Sequence, residues 1–431
     1  MSAFITVIVA VSTLFSGVTL GQLGGTDIRL IWLCALLLAV PIISAKHFLI
    51  PKLLLLAAFY IASVSIMSAV FFSFNIIGIL TVFLAFFQTV IIFNLLQAGF
   101  LTSFIQGFTI AAKLLIFSIF VETALFYLVP DVLSRLVDVI PFYYSPTGAG
   151  QFRASGFAYE PSEAAFLLSG LLIVFARARR YGWLAACVLA MVLSRSSLAI
   201  GAAFVVLTLS AARRGPLYLL GGAGIASILA FFTAKAPAIS DRMTWISAVL
   251  NGWSIFNKTN LVLLTQIGST VGAIAISFEA VLHAFKLSFG FGVGPGNFQF
   301  ALRDLFSSVY GLNIAATENL RYVTSLFDRN GENLFLRLGA EFGLAGITAC
   351  VFLYIASIRV FFASLTQRVH HDPDYADLLF KASALALCFL SILFMRKESY
   401  ATIYLPFAAG FLTCYARPVI NAIKGQETLS K

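Results

Sequence analysis

Charged residues are scarce in this chain. Only 11% of its 431 residues are charged, whereas soluble domains carry about 25%. Hydrophobic residues make up 60% of the chain, and the mean hydropathy is +0.97. This composition excludes a soluble fold and is typical of a protein whose helices lie in a lipid bilayer.

Cysteine and clustered acidic residues are also scarce. The five cysteines all fall inside apolar stretches, so neither a disulfide framework nor a thiolate metal site is expected. Asp372 and Asp374 resemble a metal-binding acidic pair, but they stand in a short hairpin beside His370 and His371. A solvated turn is the favoured interpretation of that pair.

Apolar runs predict a single all-α membrane domain over residues 1–431. Residues 261–276 are apolar but interrupted by polar residues and glycines, which favours an interfacial or re-entrant helix over a true span. About twelve transmembrane helices of roughly 20 residues each account for the length. The predicted segments are 3–20, 29–46, 48–71, 74–97, 101–129, 162–176, 181–193, 197–212, 217–233, 339–364, 377–395 and 400–416.

Basic residues predict which side each loop faces. The arginine clusters at residues 177–180 and 213–214 are two spans apart and therefore share a face, which the positive-inside rule makes cytoplasmic. Both termini are then expected in the cytoplasm, with two long loops, 130–161 and 234–338, outside. The net charge of +10 is explained by this topology, so no nucleic-acid partner is expected.

Residues 153–163 form the first polar constellation, directly before the sixth predicted helix. Pro161 and Glu163 suit the first turn of a helix, where acidic side chains complement the positive end of the helix dipole. Arg153 and Glu160 are harder to explain structurally, because charges at the membrane edge are costly unless paired or used. Both are therefore candidate functional residues.

Three further arginines stand in predicted outer segments. Arg195 lies in a short hairpin between apolar helices, where anchoring to lipid headgroups is the alternative to a binding role. Arg242 precedes Trp245 in the second long loop, and Arg396 lies in another short hairpin, where Glu398 could neutralise it. The glycines of residues 289–298 match neither the Walker nor the Rossmann spacing and predict a tight turn.

Residues 330–346 form the last constellation and lead into the tenth predicted helix. Arg337 and Glu341 are four residues apart, so they predict a structural ion pair on one helix face. Glu332 has no such obvious partner in the sequence. Lys113 and Glu122, nine residues apart, are predicted to lie on opposite sides of the fifth helix and to make separate contacts.

These motifs together resemble the O-antigen polymerase and O-antigen ligase superfamily of bacterial membrane proteins. The resemblance rests on Arg195, Arg242 before Trp245, residues 292–298, Asn333-Leu334, and Glu341 with its following glycines. It covers roughly residues 181–365, and the Arg153 stretch extends it. It implies a metal-independent glycosyltransferase of the GT-C type, without a cofactor, in the bacterial cytoplasmic membrane with its active site facing outward.

The resemblance also implies partners and residue roles. The donor and the acceptor are polyprenyl-diphosphate-linked glycans, and a flippase and chain-length regulator proteins are further expected partners. Arg195 and Arg242 bind the donor diphosphate, with Arg153 and Arg396 as further candidates. The family's ligases carry a histidine where this chain has Glu332, which favours a polysaccharide polymerase over a ligase. Glu332 is the candidate base, Glu160 its competitor, and a glycan flippase or transporter is the alternative from another class.

Overall fold

The computed structural model describes residues 1–15, 19–23, 26–45, 48–139, 154–157, 161–194, 270–309, 334–365, 373–395 and 402–429. Apart from one hairpin of two short strands and the connecting loops, the described part of the chain is helical. The first helices are α1 (Ser2–Leu14), α2 (Leu30–Ala45), α3 (Lys52–Phe71), α4 (Ile76–Gln97), α5 (Leu101–Leu128), α6 (Pro130–Val139), α7 (Pro161–Arg177) and α8 (Tyr181–Leu193). They are followed by α9 (Thr270–Ser288), α10 (Phe298–Asp304) with a π-turn (Leu305–Val309), α11 (Leu334–Leu365), α12 (Pro373–Met395) and α13 (Tyr404–Leu429).

The protein is therefore an all-α protein of the membrane-embedded kind. Four helices in the described part are long and apolar enough to cross a bilayer, namely Lys52–Phe71, Ile76–Gln97, Leu101–Leu128 and Leu334–Ser364. Ten of the twelve predicted segments are helical in the described residues. The predicted helices at 197–212 and 217–233 lie outside those residues.

Some predicted boundaries are wrong. The first helix ends at Leu14 rather than near residue 20, and strands β1 (Thr19–Leu23) and β2 (Thr26–Arg29) follow as an antiparallel hairpin. Glycine and β-branched threonine disfavour a helix there, and the sequence Gly24-Gly25 suits a hairpin turn. The second predicted outer loop contains α9, which begins at Thr270 and extends well past the predicted segment 261–276.

Contacts between helix ends sort them into two faces. On one, which we name the Arg177 face, Ser2 Oγ lies 2.7 Å from Ser103 Oγ, and the Asn94 side chain exchanges hydrogen bonds of 2.8 and 2.9 Å with the backbone of Leu49. At the same face Arg177 Nε donates to Asp377 Oδ1 at 2.8 Å. These residues belong to the ends that the sequence places together on the predicted cytoplasmic side.

The opposite ends meet in a second set of contacts. The rings of Phe15 and Phe157 are 5.7 Å apart, which joins the end of α1 to the segment before α7. The turn after α3 contacts residues 293–297 through hydrogen bonds from Ser68, Ser73 and Asn75. We name this side the glycine-loop face. Within the described residues, helix ends alternate between the two faces along α1, α3, α4, α5 and α7.

The main core is built from apolar helix faces, with aromatic rings at its centre. Phe108 of α5 is fully buried, and its ring lies 4.9 Å from both Phe389 of α12 and Phe407 of α13. The edge-to-face geometry of these pairs adds to the gain from burial. Phe117, nine residues further along α5, is instead 64% exposed and points away from the bundle.

Removing a central ring should destabilise the bundle. We expect Phe108→Ala to lower the free energy of unfolding by about 3 to 5 kcal/mol, because removal of the ring leaves a cavity that its neighbours fill only in part. Phe117→Ala is the matched control on the same helix and should change it by less than about 0.5 kcal/mol. Thermal unfolding of the detergent-purified variants measures both. Equal losses in the two variants would contradict this description of the core.

Candidate functional site

All six predicted site residues lie outside the described part of the chain. They are Arg153, Glu160, Arg195, Arg242, Glu332 and Arg396. Their predicted roles therefore stay predictions, and the described structure bears on the segments that adjoin them. Residues close in sequence to four of them, namely Ala154, Ala164, Leu334 and Ile403, are buried in the same hydrophobic core.

A loop of alternating glycines, Phe289–Asn297, follows α9 and is named the glycine loop. Gly290, Gly292, Gly294 and Gly296 all have positive φ, between 76° and 92°. Residues that carry a Cβ atom rarely adopt this backbone conformation, which explains why every second residue of the loop is glycine. The predicted tight turn is confirmed, but the loop also docks onto a neighbouring helix, which its spacing did not indicate.

The docking partner is a break in α11 at Gly343. This residue has φ 62° and ψ −145°, so α11 consists of two helices, 334–342 and 344–365. The carbonyl oxygen of Leu338 fills the space beside Gly346, although residues eight apart in a straight helix are separated by about 12 Å. The first half of α11 therefore folds back sharply against the start of the second half.

The glycine loop repairs the hydrogen bonds that this break interrupts. Val293 N donates to Ala340 O and Gly294 N donates to Glu341 O, both at 2.9 Å, while Leu344 N donates to Gly290 O at 3.0 Å. The Tyr60 hydroxyl of α3 donates to Phe342 O at 2.9 Å. Such repair is needed because a backbone group that is buried away from water without a partner costs the protein several kcal/mol.

A cluster of polar side chains fixes the other side of the glycine loop. Asn297 Nδ2 donates to Ser68 Oγ at 2.7 Å, and Ser68 Oγ donates to Val293 O at 2.8 Å. Ser73 Oγ donates to Asn297 Oδ1 at 2.7 Å, and Asn75 Nδ2 donates to Gly296 O at 2.8 Å. This cluster was not predicted from the sequence. Asn75 also caps α4, because its Oδ1 accepts from Gly78 N at 2.9 Å, and its place at the start of the helix indicates only that role.

The buried ion pair of α11 is confirmed. Arg337 Nε donates to Glu341 Oε1 at 2.8 Å, and the two side chains are 6% and 0% exposed. The pair lies on the first half of α11, beside the glycine loop. Its short contact and deep burial support the structural interpretation of both residues, because breaking a buried pair typically costs 3 to 5 kcal/mol.

Glu122 holds the segment that follows Arg153. Its Oε2 accepts hydrogen bonds from Ser155 N at 3.0 Å and from Gly156 N at 2.5 Å. Lys113 lies elsewhere, with its Nζ 5.1 Å from the ring centroid of Trp183. Lys113 and Glu122 therefore make separate contacts, as the sequence predicts. The hydrogen bonds from a loop backbone to Glu122 were not predicted.

Metal-ligand types converge at few places in the described residues. His283 Nε2 lies 2.7 Å from Asp304 Oδ2 and joins α9 to α10. Groups of three or more His, Cys, Asp or Glu side chains able to hold a metal ion do not occur among the described residues. The His283–Asp304 pair was not identified from the sequence, because its partners are 21 residues apart.

The fold and these contacts define a membrane-embedded, all-α protein with one broken helix stabilised by a glycine loop. No protein-family model matches the chain, and no curated protein sequence matches it.

The break in α11 should not tolerate a side chain. We expect Gly343→Ala to destabilise the protein by about 3 kcal/mol or more, because its backbone conformation is open almost only to glycine and Gly290 O fills the space of a Cβ. Gly99→Ala is the control, because Gly99 has φ 88° but open space around it, and should cost about 1 kcal/mol. Thermal unfolding in detergent separates the two. A loss at Gly343 no larger than that at Gly99 would refute the docked break.

Proposed function

We propose that this protein is a membrane glycosyltransferase that polymerises polyprenyl-diphosphate-linked oligosaccharide repeat units into a surface polysaccharide. The observation that carries the proposal is the direct contact between two motifs of the resemblance to the O-antigen polymerase and ligase superfamily. Gly292–Asn297 and Glu341–Gly346 are more than 40 residues apart in sequence, yet they dock through direct backbone hydrogen bonds. Motifs that meet in the fold support one site more strongly than motifs that merely recur in order.

The glycine-loop face is the proposed outer, catalytic face. On the opposite side, the Arg177 face, α7 ends at Arg177, which forms an ion pair with Asp377. The next residues include the exposed Arg179 and Arg180. The positive-inside rule favours the cytoplasm for that face. Ala154 and Leu334, the described residues next in sequence to Arg153 and Glu332, are both buried in the main core. We assign the predicted catalytic groups to the outer side as part of this proposal.

Arginine chemistry suits the proposed donor. A guanidinium is permanently charged and offers paired N–H donors that match phosphate oxygens. In the proposed reaction an acceptor hydroxyl attacks the anomeric carbon, the bond from that carbon to the phosphate oxygen breaks, and polyprenyl diphosphate leaves. Arg195 and Arg242, with Arg153 and Arg396 in support, stabilise the charge that develops on the diphosphate.

The remaining task is removal of the acceptor proton. A carboxylate within hydrogen-bond reach can accept it, and Glu332 stands two residues before the first half of α11. That half-helix is docked onto the glycine loop through backbone hydrogen bonds, which supports a fixed position for a carboxylate next to it. Glu160, immediately before α7, is the competing base.

Replacement of the proposed diphosphate ligands should stop polymer formation. We expect Arg195→Ala and Arg242→Ala each to lower turnover by about 10²-fold or more while the protein still inserts. Lysine at either position should rescue partly, because it lacks the paired donors. Arg180→Ala, at an exposed position on the other face, is the control and should leave turnover unchanged. Full activity of both alanine variants would remove this assignment.

The base assignment has its own test. Glu332→Gln should keep binding of the lipid-linked donor, because size and shape persist, yet lose about 10² to 10⁴-fold in turnover. Asp131→Asn, an exposed carboxylate on α6, is the control. Turnover of purified Glu332→Gln within a few-fold of the parent would eliminate Glu332. A selective loss in Glu160→Gln would transfer the role to Glu160.

The proposed activity also predicts a cellular phenotype. Deletion of the gene should leave surface glycans that carry single repeat units and no polymer. Intact lipid-linked polymer that fails to reach its acceptor would indicate a ligase instead. Repeat units retained on the cytoplasmic side would indicate a flippase, and either outcome would overturn the proposal.

A further inference from the structure

A buried acidic side chain in α5 accepts hydrogen bonds from the backbone of a loop. Glu122 is 2% exposed and lies six residues before the end of α5, about 9 Å along the helix axis. Acidic residues inside membrane helices are rare because burying their charge is expensive. The stabilisation that offsets this cost comes in part from the amide hydrogens of Ser155 and Gly156, both donated to Glu122 Oε2.

Three other contacts hold the same short segment. Phe157 N donates to Ser118 Oγ at 3.1 Å, one helical turn before Glu122. Gly156 has φ 58°, and the space beside its Cα is filled by Ser118 Oγ. The ring of Phe157 packs against Phe15 of α1 at 5.7 Å. Residues 154–157 are therefore attached to α5 and α1 at consecutive positions.

This attachment lies directly beside a proposed ligand of the donor. Ala154 and Ser155 are fully buried, and the next residue toward the N-terminus is Arg153. Consecutive Cα atoms are about 3.8 Å apart, so a fixed Ala154 restricts the positions open to Arg153. Two consecutive backbone amides donate to the same oxygen of Glu122, which makes this side chain an effective anchor.

We propose that Glu122 is a positioning residue that anchors residues 154–157 and thereby sets Arg153 against the donor diphosphate. This role rests on the proposed function, since it assigns the diphosphate to Arg153. Glu122 itself does not touch the substrate. Its Oε2 accepts from two backbone amides, so glutamine, which keeps one acceptor oxygen, retains part of the anchoring and alanine retains none.

The anchor is tested without any reference to activity. Ser155→Cys is placed in a background whose five native cysteines are replaced by alanine, and the thiol is probed with a membrane-impermeant maleimide. Ser155 Oγ is buried and makes no hydrogen bond in the described structure, so this substitution removes no contact. We expect slow labelling in the parent, at least tenfold faster labelling with Glu122→Ala, and an intermediate rate with Glu122→Gln.

Thr123→Val is the matched control for the labelling. Thr123 is the next residue on α5, and its hydroxyl donates to Ile119 O within the same helix. Its replacement should leave the labelling of the Ser155→Cys thiol at the parent rate. Unchanged labelling in Glu122→Ala, or equal acceleration by Thr123→Val, overturns the anchor.

Binding of undecaprenyl diphosphate alone, in nanodiscs, tests the link to Arg153. We expect Glu122→Ala and Arg153→Ala each to weaken binding about tenfold, and Glu122→Ala to add nothing once Arg153 is alanine. That non-additivity distinguishes positioning from a general loss of structure. Fully additive effects overturn the positioning role. A parent without affinity for the diphosphate instead overturns the proposed function, whatever the labelling shows.

Discussion

The need to satisfy every backbone hydrogen bond in a membrane-embedded protein governs the structure around α11. The break at Gly343 interrupts hydrogen bonding within the helix, and the carbonyls of Ala340, Glu341 and Phe342 accept from donors outside the helix. Non-helical backbone survives in a membrane only where protein or water covers it. The glycine loop supplies that cover, and its alternating positive φ values let its amides and carbonyls meet the broken helix.

The polar network beyond the loop follows from the same constraint. A loop that repairs a helix must itself be held, and Ser68, Ser73 and Asn75 at the end of α3 and the start of α4 bind its second edge. The result is a joint between α3, α4, α9 and α11 on the glycine-loop face. Rigid support is what a catalytic group requires, since small misplacements sharply reduce rates.

Apolar runs predicted most helices because membrane helices need long uncharged segments, and the Arg337–Glu341 pair followed from its four-residue spacing. The break at Gly343 was not predicted, since a glycine in an apolar helix is common and its φ depends on the docked loop. The anchoring by Glu122 was hidden for a similar reason. Its partners are backbone amides 33 and 34 residues away, and since nearly every residue has a backbone amide, the sequence does not indicate which ones it binds.

The central claim is that this protein joins lipid-linked repeat units. The most direct measurement incubates the purified protein in nanodiscs with a polyprenyl-diphosphate-linked repeat unit from the host organism and resolves the products by gel electrophoresis. The account predicts a ladder of products that differ by one repeat unit, with one polyprenyl diphosphate released for each unit added. Unchanged repeat units, with active donor confirmed by another polymerase, would contradict it.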